Sequence, residues 1–126
     1  MAERKPVEVQ PASGGIMPVG VRVFRWEGIV QGDTCAPLNI AGCERLTLHA
    51  IGTFDTGTIT VQGTVDPDPA GTFTALRDQT GTAISLTAAG IRKIGEDVVQ
   101  VKPVLTGGGG STDIDVFLLV GTVARR

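Results

Sequence analysis

Period-two alternation of apolar and polar side chains is what most narrows the folds open to this chain. In RLTLHAI, Leu46, Leu48 and Ala50 fall on one side of an extended strand, and Arg45, Thr47 and His49 on the other. TITVQGTV repeats the pattern, with Ile59, Val61 and Val65 turned inward and Thr58, Thr60, Gln62 and Thr64 outward. This is the signature of a sheet with one wet face. VVQVKPVL puts Val99, Val101, Pro103 and Leu105 on one face. Pro103 has no N–H to give a ladder, so this strand lies at an edge or carries a bulge there. IDVFLLVGTV, from Ile114 to Val123, supplies a last long strand that closes the core. VRVFRW is apolar on both sides, with Val21, Val23 and Arg25 on one face and Arg22, Phe24 and Trp26 on the other, which predicts contact on both. Shorter strands are expected at Ala36–Ile40, Phe73–Leu76 and Ala83–Thr87. Helical periodicity is nearly absent; only ISLTAAGIRKI (Ile84–Ile94) admits a turn or two, and Gly90 interrupts it.

About seven or eight strands, with turns about every 8–12 residues, read as an all-β, antiparallel β-sandwich, jelly-roll or immunoglobulin-like. Glycine, at 18 of 126 residues, is about twice as common as usual and has no collagen period. Its place is in the turns. In FDTG a positive φ is expected at Gly57, and DQTG fits a type I turn with Asp78 first and Gly81 last. The run Gly107–Gly110 followed by Ser111 and Thr112 is costly to order, so it is expected to be mobile or held by a partner.

The chain length fits one domain. Residues 1–18 carry three prolines and Gly14-Gly15 without sustained alternation, and read as an extended N-terminal arm; residues 19–126 form the sandwich. Val7–Val9 is able to pair with a neighbour as a short strand. The opening MAERKPVEVQPASGG has no apolar core of a secretory signal, so synthesis in a cytoplasm is expected. No apolar run approaches the roughly 20 residues that span a bilayer. A net charge of −2, without a convincing basic patch, argues against direct nucleic-acid or membrane partners.

Few residues are equipped for chemistry. Asp66 and Asp68 in DPDPAG, with Asp78, are the candidates for calcium, but they lack the regular spacing of a calcium loop. Pro67 and Pro69 with flanking aspartates fit a turn in which carboxylates accept local N–H groups. His49 is the single histidine, on a polar face, without a neighbouring nucleophile in the sequence. Cys35 and Cys43 flank a possible turn; a cross-strand disulfide and two reduced thiols both fit, with a cytoplasmic setting favouring thiols. GGGGST lacks the lysine and the following helix of a phosphate loop. No metal, cofactor or catalytic group is expected, and the chain reads as a protein-binding module rather than an enzyme. Trp26 is the residue best suited to anchor an interface.

The order of segments carries a resemblance. GDTCAPLNIAG (Gly32–Gly42), RLTLHAIGTFDTGTITVQGTVD (Arg45–Asp66), FTALRDQTGTAISLTAAGIRKI (Phe73–Ile94) and VQVKPVLTGGGGSTDIDVFLLV (Val99–Val120) cover most of the chain from Gly32 onward. Together they resemble small β-sandwich capsid decoration, or cement, proteins of tailed bacteriophages. The Pro-rich insert before Phe73 departs from that pattern at a loop tip. The resemblance implies a structural virion protein on the capsid exterior, made in the host cytoplasm. It would bind the major capsid protein and neighbouring copies of itself, as dimer or trimer, and stabilise contacts between capsomers. On that reading Val7, Val9, Val21 and Val23 contact the partner, with Phe24 and Trp26 as anchors. The rival expectations are a tail, head-fibre or other minor virion component, and a carbohydrate-binding sandwich module, which would want exposed aromatic side chains.

Overall fold

A computed structural model describes residues 2–9, 21–40, 45–68 and 70–121. Twelve strands follow in chain order among them: β1 (Glu3–Arg4), β2 (Val7–Glu8), β3 (Val21–Ile29), β4 (Thr34–Cys35), β5 (Leu38–Asn39), β6 (Arg45–Thr53), β7 (Gly57–Thr64), β8 (Thr74–Ala75), β9 (Ser85–Leu86), β10 (Gly90–Ile94), β11 (Gln100–Gly107) and β12 (Asp113–Gly121). The long alternating segments of the sequence are the long strands. ISLTAAGIRKI resolves into β9 and β10, with bends at Thr87–Ala89 in place of a helical turn. No helix among the described residues is long and apolar enough to cross a membrane.

Ten of the strands form two packed sheets, and β1 and β4 pair separately. The front sheet has the order β10-β6-β12-β3-β2. The back sheet has the order β5-β11-β7-β8, with β9 also paired to β7. Every pairing within these two sheets is antiparallel. The fold is therefore an all-β, antiparallel sandwich. Apolar side chains taken from every second position fill the space between the layers. Leu48, Val116 and Leu118 of the front sheet and Val101 of the back sheet are wholly buried, and Val61 is 1% exposed. Val65 was expected inward but is 70% exposed, because β7 ends at Thr64 and the chain turns away at Asp66. Pro103 is accommodated as its chemistry requires. From Lys102 onward β11 pairs only with β7, since β5 reaches no further than Val101, so no ladder bond is lost.

β6 and β7 are consecutive yet lie in opposite sheets, and Phe54–Gly57 carries the chain across. The Gly57 N–H donates to the Phe54 carbonyl at 2.7 Å. The positive φ expected at Gly57 falls instead on Asp55 (45°) and Thr56 (66°). Gly57 is needed for space, since a Cβ there would lie 2.8 Å from the Phe54 carbonyl oxygen and 2.9 Å from Leu105 Cδ1. Asp55 then reaches the glycine run and accepts the Ser111 N–H at 2.9 Å. The buried Thr112 hydroxyl donates to the Phe54 carbonyl (3.2 Å) and accepts the Gly109 N–H (2.8 Å). The loop expected to be mobile or partner-held is thus fastened by its own chain.

The described part of the N-terminal segment is extended and lies on its own chain; residues 10–18 fall outside the described residues. β1 runs parallel to β4, and β2 adds to the edge of β3. The latch is Asp33, which is buried. Its carboxylate accepts Arg4 Nε (2.7 Å), the Ala2 N–H (3.0 Å) and the Val30 N–H (3.1 Å). Burial pushes the Asp33 carboxyl up, but the Val30 N–H, the Arg4 guanidinium and the Ala2 N–H outweigh it and hold the group below its ordinary value. A lowered carboxylate stabilises the fold fully above its unfolded value of about 4 and loses that contribution as pH falls through the folded one. Asp33→Asn should cost about 1–3 kcal/mol by leaving Arg4 and two N–H groups underserved. It should also speed amide exchange at Thr34 and Ala36, which donate to the segment's carbonyls. Unchanged melting and unchanged exchange would contradict the latch.

Candidate interaction surface

The outward side of the front sheet is less polar than a wet face requires. Its cross-strand register lines up two rows. One runs Ile91, His49, Phe117, Arg25, Val7 across β10, β6, β12, β3 and β2. The next runs Lys93, Thr47, Leu119, Val23, and continues to Val9, whose N–H donates to the Val23 carbonyl at 2.8 Å. Ile91 and Val7 are 57% and 64% exposed. Phe117, Leu119 and Val23 are half-buried by their neighbours alone. Val23, Thr47, His49, Ile91, Phe117 and Leu119 line a shallow depression of about 260 Å³. The Arg25 guanidinium sits over the Phe117 ring at 5.7 Å, and the His49 ring is 6.1 Å from it. Directly opposed aromatic, aliphatic and long side chains stiffen such a face.

Charge is divided along the strands. Asp113 and Asp115 lie at the end where β12 begins, with Glu27 of β3 beside them. Arg45, opposite Gly121, and Lys93 lie toward the other end. Between β3 and β12 the register slips at Ile114/Val116, forming a bulge, and the Gly28 N–H that leaves the ladder donates to Asp115 Oδ1 at 2.8 Å.

The six residues expected to meet a partner fall on two sides of one sheet. Val7, Val9, Val21 and Val23 share the outward face. Phe24 packs against the core, under the Arg22 guanidinium. Trp26 corrects an expectation: it is 0% exposed, and its Nε1 donates to the Ala36 carbonyl at 2.9 Å. A partner cannot reach it without opening the sandwich, and it offers no stacking surface to a sugar. Phe117, Leu119 and Ile91 were not singled out in the sequence. The available signal was FLLV inside IDVFLLVGTV, a strand apolar on both sides, which implies cover on both.

The acidic residues of the loops are structural. Asp66 Oδ1 accepts the Asp68 N–H (2.9 Å), Asp68 Oδ1 accepts the Ala70 N–H (2.9 Å), and Gln100 Nε2 donates to both their carbonyls (2.8 and 2.9 Å). Asp78 Oδ1 accepts the N–H groups of Thr80 and Thr82 and the Thr80 hydroxyl. The Thr80 hydroxyl first, and then the Thr82 N–H, hold the Asp78 carboxyl below its ordinary value. Among the described residues no group of three His, Cys, Asp or Glu side chains is placed to hold a metal ion. Cys35 is a buried free thiol, and Cys43 lies outside the described residues. Burial, then the neighbouring Asp33 carboxylate, push the Cys35 thiol up to about 12. It stays protonated near neutrality, when thiols are poor nucleophiles.

Comparison with protein-family models, with curated proteins and with solved structures gave no match. The melting temperature should be the same in millimolar calcium and in chelator. A rise of several degrees with calcium would show that the Asp66–Asp68 turn holds an ion.

Proposed function

We propose that this chain is a structural virion protein that binds the outer surface of a bacteriophage capsid and stabilises contacts between capsomers of the major capsid protein. The reading joins the resemblance of its segment order to cement proteins with one observation, the apolar ladder on the outward face of the front sheet. A sheet face carrying Phe117, Leu119, Val23 and Ile91 outside the core suits contact with protein. The pinned loops supply the rest of what the role needs. A module whose turns are fastened by its own aspartates loses little entropy on docking. Many such copies, each held beside the next, resist the outward pressure of packaged DNA without any one tight interface. On the same reading the sandwich is of jelly-roll or immunoglobulin-like kind, since β5/β6, β6/β7, β9/β10, β10/β11 and β11/β12 each change sheets.

The experiment is co-sedimentation of the purified chain with phage shells that lack it, in expanded and unexpanded forms. Binding at a fixed ratio to the major subunit, saturating with added protein, is the expected result. Failure to sediment with either form would overturn the reading.

A further inference from the structure

The outward face of the front sheet is complementary to itself. We propose that it packs face to face on the same face of a second copy, the two sheets running antiparallel about a two-fold axis that crosses β12 between Phe117 and Leu119. The inference rests on that face being a protein-contact surface and gives it to a neighbouring copy, leaving loops and edges for the shell.

Two arrangements bring identical sheet faces together with two-fold symmetry. An axis along the strands keeps strand direction, so it lays Asp113 over Asp113 and Asp115 over Asp115 of the second copy. Like charges so placed are unfavourable. An axis across the strands reverses direction while keeping the order of strands. Phe117 then meets Leu119 of the second copy, and Leu119 meets its Phe117. Arg25 falls over Val23 of the other copy and stays paired with its own Glu27 (3.2 Å). Asp115 of one copy comes over Gly121 of the other, beside its Arg45, and Asp113 falls beyond the overlapping rows. Phe117 and Leu119 thus pack in the middle, Lys93 lies over Ile91 of the second copy, and Asp115 meets Arg45 at each end.

The area suffices. β6, β12 and β3 reach four overlapping rows and β10 and β2 two each, so at about 4.8 Å between strands and about 6.8 Å between rows the overlap covers roughly 500 Å² on each copy, about 1,000 Å² in all. That is the lower edge of specific protein interfaces, so association in the micromolar range is expected rather than an obligate dimer. A pair joined in this way offers two identical sets of loops and edges to whatever it binds, which turns a weak contact into a bivalent one.

Sedimentation equilibrium of the full chain, without shells, tests this over micromolar to millimolar concentration. A monomer–dimer equilibrium is expected, weakened at least tenfold by Leu119→Arg. Ile91→Lys serves as the second variant, since it sets like charge against Lys93 of the second copy and a side chain 57% exposed can change without harm to the core. Arg45→Asp, which sets like charge beside Asp115 of the second copy, should weaken the dimer, while Asp113→Arg, beyond the overlap, should leave it unchanged. A chain monomeric throughout, or a dimer indifferent to both Leu119→Arg and Ile91→Lys, would overturn the proposal. A dimer indifferent to Arg45→Asp, or weakened by Asp113→Arg, would overturn the antiparallel stack. A monomer that still sediments with shells would sink this inference and leave the capsid reading standing. A dimer that ignores shells would do the reverse.

Discussion

The structure depends on β12 being committed on both edges and both faces. Along its length it exchanges backbone hydrogen bonds with β6 on one side, from Asp113 opposite Thr53 to Gly121 opposite Arg45, and with β3 on the other. Its inner residues Ile114, Val116 and Leu118 are wholly buried against the back sheet, and Val120 nearly so. Its outer residues Phe117 and Leu119 form the middle of the exposed ladder. Without β12, β10 and β6 have no hydrogen-bonded route to β3 and β2. Even the irregularity beside it is satisfied, since Asp115 takes the Gly28 N–H that the bulge frees.

The aspartates divide along a simple line. Asp33, Asp55, Asp66, Asp68, Asp78 and Asp115 each accept a main-chain N–H. A short carboxylate near a turn does this well, because it satisfies donors that no ladder reaches. Acidity in this chain is therefore spent mostly on holding loops to strands. Asp113 is an exception, exposed at one end of the outward face. Where charges are not needed for turns, their distribution along the front sheet becomes a matter of recognition.

Strands, sheets and core were legible in the sequence because a period of two admits one reading once one side is apolar. Leu48, Val61, Val101 and Val116 are buried as the alternation requires. The turn at Asp66 and Asp68 was legible from its prolines. Other features were hidden because they depend on partners distant in sequence. Nothing local to GGGGST reveals that Asp55 will cap it, and nothing in Gly32–Thr34 reveals that Asp33 will receive Arg4 and Ala2. Trp26 misled for a related reason. A large amphipathic ring suits an interface and a core equally well, and the choice was made by the Ala36 carbonyl waiting inside the sandwich. The outward ladder was half visible. FLLV announced cover on both sides of one strand, but only the register showed that β6, β10, β3 and β2 bring Thr47, His49, Ile91, Val23 and Val7 to the same face.

If β12 serves the core with one face and a partner with the other, adjacent leucines must differ in what they hold together. Equilibrium urea unfolding of Leu118→Ala and Leu119→Ala, at low protein concentration, separates the two. Leu118→Ala should lose about 2–5 kcal/mol, the usual cost of emptying a leucine-sized space in a packed interior. Leu119→Ala should lose less than about 1 kcal/mol. Equal losses would mean that both faces of β12 are interior, and the account of an outward contact face would fall.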